Sequence, residues 1–297
     1  MIFSKKHYIF LQGGLGNQLY MAAYADFLSK QGYKNIKLIT RTPQKNQGDT
    51  KDKKKRLLLT SIPQKLGIKV LFLWHRYLLS FLVRIPHWPL YRQLWCKILK
   101  VHHEPLEQWL VFNPNIEPSA WFNLHIGYFQ SYKYISKTFL QKVSKVISEI
   151  APHSRTFNIQ ANDVAVHIRR GDFLSDANQA IFSKIELPHY LKGLALIAEK
   201  KTIGNVYIFS DDFHAIENDI KEIAKYYQVI PVKEQSVLDD INTLQHFTNY
   251  VIGNSTFSWW GAMLSNANNK IVVAPKKIVE FKVENPTPFP EEWTLLD

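Results

Sequence analysis

The chain has 297 residues, 46% of them apolar, which is enough for one large or two ordinary domains with a true core and too apolar for a disordered chain. Its single cysteine, Cys96, excludes an intrachain disulfide and argues against a thiolate metal site. A formal net charge of +12 calls for an anionic partner, whether a nucleotide, a nucleic acid or an acidic membrane surface, without choosing among them.

At the N-terminus Lys5, Lys6 and His7 precede only a short apolar run, so no secretory pattern is read and a reducing, cytoplasmic setting is expected. Tyr8-Ile9-Phe10-Leu11 predicts a buried strand that runs into Gln12-Gly13-Gly14-Leu15-Gly16-Asn17-Gln18. A helix follows, with Leu19, Ala22, Ala23 and Phe27 at helical spacing and Gly32 as its stop. Strand, glycine-rich turn and helix together bring backbone N–H groups close to a ligand. The dinucleotide fingerprint fails, because its third glycine falls on Leu19, and no Gly-Lys-Ser/Thr completes a P-loop. At this point the loop fits either a close approach to a ligand or a tight turn without one.

Residues 41–56 are polar and basic and read as an exposed loop. Residues 57–110 are rich in Leu, Trp and basic residues and read as helical. Their most lipophilic part, Val70–Ile85, is broken by Arg76 and Arg84 and falls short of the ~20 apolar residues of a spanning helix. It fits a buried helix or an interfacial one with snorkelling arginines. From Trp121 to Ile135 aromatics alternate with polar groups, which suits a platform for sugar or simply a core. A helix is expected over 137–150, closed by Pro152, with a domain boundary there.

Beyond residue 162 strands and helices alternate. Strands are expected at Val164–Ile168, Asn205–Phe209, Val229–Val232, Tyr250–Ile252 and Ile271–Ala274. Helices are expected at Pro188–Lys200, Phe213–Tyr227, Ser236–Phe247 and from Thr256. The strands are apolar on both faces, as a parallel sheet requires, and five of them in this order make a Rossmann-like half.

Three of these strands end in polar clusters: His167/Arg169/Arg170/Asp172, Ser210/Asp211/Asp212 and Asn254/Ser255/Thr256. In one parallel sheet those ends share an edge. Arg169 and Arg170 suit a pyrophosphate, because the guanidinium fork donates two parallel hydrogen bonds. Asn254, Ser255 and Thr256 open a helix whose N–H groups also favour phosphate. Asp211 or Asp212 suits a ribose hydroxyl or a guanine edge. Together they describe a nucleotide-diphosphate site. No Asp-x-Asp pair offers to hold a metal there, none of the 11 histidines makes a His-x-x-x-His pattern, and no Gly-x-Ser-x-Gly is present.

The segments Gly13–Gln18, Gly127-Tyr128-Phe129-Gln130-Ser131, His167–Phe173, Phe209–Asp212, Asn254–Ala262 and Pro290–Trp293 occur in this order in the alpha-1,2-fucosyltransferases, glycosyltransferase family eleven, which the chain resembles. Phe173 stands where tyrosine is usual. The resemblance implies an α/β, GT-B-like fold of two Rossmann-like domains facing across a cleft. Residues 1–153 would bind the acceptor, with 57–110 as a variable helical region, and 154–297 would bind GDP-fucose. It implies an inverting, metal-independent transfer of L-fucose from GDP-fucose to the 2-hydroxyl of a terminal galactose on a glycan, with no cofactor. Arg169 would contact the diphosphate, with Arg170, Ser210, Asp211, Asp212, Asn254, Ser255, Thr256 and Phe257 around the donor. Gly14, Gly16, Asn17, Gln18, Tyr128 and Gln130 would face fucose or acceptor.

In that chemistry Arg169 meets the charge growing on the leaving diphosphate, His167 is a further catalytic candidate, and Asp172 is either the general base or a brace that orients Arg170. Peripheral contact with an acidic membrane carrying lipid-linked glycans is part of the same expectation. The alternatives are a fucosyltransferase of other linkage or a GDP-sugar transferase with a different sugar, then a non-enzymatic sugar or nucleotide binder, and a nucleic-acid protein. The basic residues are scattered rather than striped, which disfavours nucleic acid. Transfer activity is expected to survive EDTA; complete loss restored by magnesium or manganese contradicts metal independence.

Overall fold

The computed structural model describes residues 5–41, 61–73, 97–117, 119–151, 157–170, 180–233 and 236–297. Its contacts divide the chain into two compact units, Met1–Lys142 with Val283–Phe289 and Val143–Lys282 with Pro290–Asp297. Each unit holds a parallel sheet, so the α/β class with two Rossmann-like units is what the structure shows.

In the first unit β1 (Lys6–Phe10) leads through the glycine turn into α1 (Leu15–Lys30), and β2 (Ile36–Arg41), β3 (Lys69–Leu73), β4 (Leu99–His103) and β5 (Phe122–Ile126) follow. The strand order is β3-β2-β1-β5-β4, with every pair parallel. His7 and Ile9 alternate with Tyr8 and Phe10 along β1, as a period of two requires; the first pair is buried and the second partly so. Helix α1 is buried almost all round, from Leu15 to Leu28, and leaves Asp26 and Lys30 as a paired outer edge at 2.9 Å. Gly32, at φ 87°, ends it as expected.

Two expectations need correction here. Val70–Leu73 is not the start of an apolar helix but most of β3, in register with β2 from Lys37↔Lys69 to Arg41↔Leu73. Leu99–His103 is likewise a strand within the region read as helical. A short unbroken apolar run carries no period, so only the neighbouring strand decides its conformation. Residues 74–85 of the lipophilic segment and nearly all of the basic 41–56 loop lie outside the described residues. Among the described residues no helix is long and apolar enough to cross a membrane.

Helix α2 (Lys137–Ile150) forms where expected. The second unit then runs β6 (Val164–Ile168), α3 (Leu187–Ala198), β7 (Asn205–Ser210), α4 (Glu217–Ala224), β8 (Gln228–Pro231), α5 (Val237–Leu244), β9 (Asn249–Ile252), α6 (Thr256–Leu264), β10 (Ile271–Pro275) and β11 (Thr294–Leu296). Its order is β8-β7-β6-β9-β10-β11, all parallel, which is the 3-2-1-4-5-6 arrangement of dinucleotide-binding folds. Strand β11, only three residues long, has no pattern of its own in the sequence. On one face Val164, Val166, Ile168, Val206, Ile208 and Val251 pack with Tyr190, Leu194 and Ile197 of α3. Each such fully buried side chain contributes about 1.5–3 kcal/mol. On the other face Tyr207 and Phe209 meet Phe247 at 5.1 and 6.0 Å. Ser236 caps α5 in a reciprocal box with Asp239.

A buried polar chain lies in the first unit. Tyr24 Oη is 3.1 Å from His125 Nδ1, and His125 Nε2 is 3.1 Å from His7 Nδ1, while His102 stacks on His125 at 4.6 Å. Burial, reinforced by the neighbouring rings, holds His125 well below the ordinary histidine value, and burial with the His102 and Lys5 charges takes His7 down to about 4. These rings are neutral when folded and can protonate freely when unfolded. Their contribution is therefore fully present above about pH 6.5 and is lost as pH falls through about 4. Thermal unfolding should show Tm dropping steadily across that window, with a shallower slope in His7→Gln; a flat Tm, or a slope unchanged in the variant, contradicts the linkage.

Candidate functional site

In the second unit the three polar clusters come to one place because β9, β6 and β7 are adjacent and parallel, with His167↔Ile252 and Ile168↔Ser210 in register. The strand order reverses between β6 and β9, and crevices at such a switch point are where α/β sheets bind ligands. Arg169 and Arg170 leave β6 on one side of it, and Gly253–Ser255 leave β9 on the other.

The two arginines play unlike parts. Arg170 is turned inward: its guanidinium donates to Ile185 O at 2.8 Å and to Asp219 Oδ2 at 3.0 Å, with side chains only 13% and 19% exposed. Its backbone N–H donates to Asp211 Oδ1 at 2.9 Å. Arg169 is more open; its Nη1 lies 3.4 Å from Ser255 Oγ and its Nε 3.7 Å from Asp211 Oδ2. Ser255 caps α6 by accepting from Phe257 N at 3.3 Å. Arg169 thus stands at the N-terminus of α6, where the unsatisfied N–H groups carry partial positive charge. A cation beside a helix N-terminus, over a buried frame, is a place prepared for a polyanion.

The remaining residues support that frame. Asn254 donates to Ser183 O at 2.6 Å and so ties down the loop after β9. Thr256 opens α6, and the Phe257 ring lies 5.7 Å from that of His167. Ser210 Oγ accepts from Asp212 N, and Asp212 Oδ1 accepts from His214 N and Ala215 N, which forms the turn that shortens the helix expected from Phe213. His167 is buried, and its Nδ1 has no hydrogen-bond partner among the described residues. Burial and the Arg169 charge push it down to about 4, so it is a neutral ring at neutral pH. Gly171, Asp172 and Phe173 lie outside the described residues. Asp219 was not anticipated: it sits 49 residues from Arg170 on α4, and no local pattern links the two.

In the first unit the switch point falls between β1 and β5, and the loops after those strands meet there. Gly13 takes φ 73°, which its lack of a side chain permits, and a Cβ there would lie 2.4 Å from Asn17 Nδ2. Asn17 Oδ1 accepts from Gln130 Nε2 at 3.0 Å, while Gln18 Nε2 donates back to Gly13 O at 3.0 Å. Gly14 is exposed and its missing Cβ faces open space, whereas Gly16 is buried in the first turn of α1. Tyr128 packs edge-on against Trp109 at 4.9 Å. Gly14, Asn17, Gln18, Tyr128 and Gln130 thus lie on the two loops that follow β1 and β5. Among the described residues no group of three or more His, Cys, Asp or Glu is placed to hold a metal ion.

The contrast between the arginines can be measured. Arg170→Ala strips a charge-assisted pair and leaves Ile185 O and Asp219 unsatisfied, so urea unfolding should lose about 2–3 kcal/mol. Arg169→Ala, at a more exposed pair, should lose under about 1 kcal/mol. Equal losses in the two variants contradict the division of roles.

The family model described as glycosyl transferase family 11 matches residues 7–297. The chain is 25% identical over 292 residues to the O-antigen biosynthesis glycosyltransferase WbnK of Escherichia coli, covering 91% of this chain and 94% of that protein. It is 28% identical over 185 residues to an alpha-1,2-colitosyltransferase of Escherichia coli, covering 58% of this chain and 62% of that protein. It is 29% identical over 188 residues to a galactoside 2-alpha-L-fucosyltransferase of Caenorhabditis elegans, covering 57% and 51%. Among solved structures, POFUT1 in complex with GDP-fucose superposes with a TM-score of 0.46 at 11% identity, covering 91% of this chain and 97% of that one. A FUT1 mutant of Arabidopsis thaliana in complex with GDP gives 0.48 at 11%, covering 95% and 71%. The chain belongs to glycosyltransferase family 11.

Proposed function

We propose that this glycosyltransferase moves L-fucose from GDP-fucose to the 2-hydroxyl of a terminal galactose on a glycan, with inversion and without a metal. The observation that carries the donor side is Arg169, set between Asp211 and the Ser255 cap of α6 at the switch point of the second unit. The N–H groups of α6 and the guanidinium together suit a diphosphate, and Asp211 and Ser210 stand on the neighbouring strand end for ribose or base. Arg170 acts behind Arg169, holding the turn through Asp219 and Ile185 rather than reaching the ligand. The acceptor side is the Asn17–Gln130 edge of the first unit, whose amides and the half-buried Tyr128 match sugar hydroxyls and a sugar face.

The acceptor hydroxyl attacks C1 of fucose as GDP leaves from the opposite face. Preorganised charge at Arg169 stabilises the diphosphate as it departs, at no reorganisation cost. His167, named among the catalytic candidates, is a neutral buried ring beside Phe257 that feels the Arg169 charge, which suits it to support the site rather than to carry a proton. A cytoplasmic site with peripheral contact to an acidic membrane belongs to the same reading, and the charge of +12 supports it. A donor carrying colitose is the second reading, supported by the colitosyltransferase among the relatives.

The test is a matrix of GDP-sugars against galactose-terminated acceptors, with the product linkage read by NMR. GDP-fucose with a terminal galactose should give an alpha-1,2 product. Arg169→Ala should lower kcat by ~10²–10³ while the fold persists. Turnover with colitose alone selects the second reading; near-normal kcat in Arg169→Ala removes the arginine from the mechanism.

A further inference from the structure

Glu104 was singled out by no pattern in the sequence, yet it stands just past β4 at the edge where the loops after β1 and β5 meet. Its backbone extends the ladder, Glu104 N donating to Ile126 O at 2.9 Å, and its side chain turns toward the loop after β5. Oε2 accepts from two consecutive backbone N–H groups, Tyr128 at 2.7 Å and Phe129 at 2.9 Å. Gly127 has no alternative here, since a Cβ would lie 2.5 Å from Glu104 Cβ and 2.6 Å from Oε2. Phe129 holds φ 53°, costly for a bulky residue, and its ring stacks on Tyr24 at 3.8 Å. The next residue, Gln130, is the one that bonds Asn17. One carboxylate oxygen is therefore anchored in a built loop, while Oε1 has no hydrogen bond among the described residues.

We propose that the Glu104 carboxylate is the general base of the transfer, taking the proton of the acceptor hydroxyl on Oε1 while Oε2 stays fixed by the Tyr128 and Phe129 N–H groups. The inference rests on reading the first unit as the acceptor side. In the step, the acceptor O–H proton passes to Glu104 and the oxygen forms the new bond to C1 of fucose. The bond from C1 to the diphosphate oxygen breaks, and its electron pair leaves on GDP. The protonated Glu104 then returns its proton to water.

The charge of Glu104 is governed by its burial and by the two loop N–H groups; the Tyr24 hydroxyl from α1 and the Tyr134 hydroxyl from the turn after β5 face it, and its negative charge helps raise their own pKa. Burial outweighs the two N–H donors and takes the carboxyl up to about 8, close to the pH at which a general base works best.

Glu104→Gln keeps the shape and an oxygen for both N–H groups but cannot accept the proton. It should lower kcat by ~10²–10⁴ with the acceptor KM little changed, GDP binding by calorimetry unchanged, and amide exchange at Tyr128 and Phe129 still protected. In the wild type kcat/KM should fall on the acid side with a midpoint of about 8. That limb needs no variant to fold, and it should vanish in Glu104→Gln. Near-normal kcat in Glu104→Gln makes Glu104 a brace and overturns the proposal, as does an acid limb removed by Asp172→Asn but untouched by Glu104→Gln. Failure of the wild type to transfer any sugar to any galactoside overturns instead the function on which the proposal rests.

Discussion

A parallel sheet points every strand the same way, and that single constraint organises this protein. In the second unit it places the ends of β9, β6 and β7 side by side, so charged and polar residues as far apart in sequence as Arg169 and Ser255 share one edge. The reversal of strand order between β6 and β9 opens a crevice there, because the connections on its two sides run to opposite faces of the sheet. Without adjacency of β6 and β9, Arg169 does not meet Ser255, and the α6 N-terminus has no cation beside it.

The frame beneath that edge is as specific as the edge. Arg169 and Arg170 are neighbours in sequence and alike in chemistry, but successive residues at a strand end point different ways. One reaches the crevice rim; the other is drawn beneath it by Asp219 and the Ile185 carbonyl. Burying a guanidinium is tolerable only where its donors are satisfied, and here a carboxylate and two carbonyls satisfy them. The pair is then one arginine at the rim and one foundation beneath it, which a doubled arginine in a sequence does not announce.

The first unit uses the same rule differently. Its polar groups at the β1–β5 switch point are mostly amides, bonded to one another through Asn17 and Gln130. Neutral amides recognise hydroxyls without demanding a counter-charge, whereas the second unit presents a cation and a helix dipole suited to phosphate. A carboxylate built into the first edge, Glu104, is held by backbone N–H groups.

The sequence by itself determined the α/β class, most elements of the second unit, the three polar strand ends and the family. Those depend on local period, on glycine at turns and on short motifs, all of which survive without coordinates. Strands β3 and β4 were misread because a short apolar run becomes strand or helix only when a neighbour offers its hydrogen bonds, and β11 was too short to carry a pattern. Only the tertiary structure decided which arginine faces out, that Asp219 holds the other, and that Glu104 and the His7–His125–Tyr24 chain are buried together with their partners. These are contacts between residues 24 to 118 positions apart, and one sequence holds no record of which distant side chains folding brings within hydrogen-bond distance.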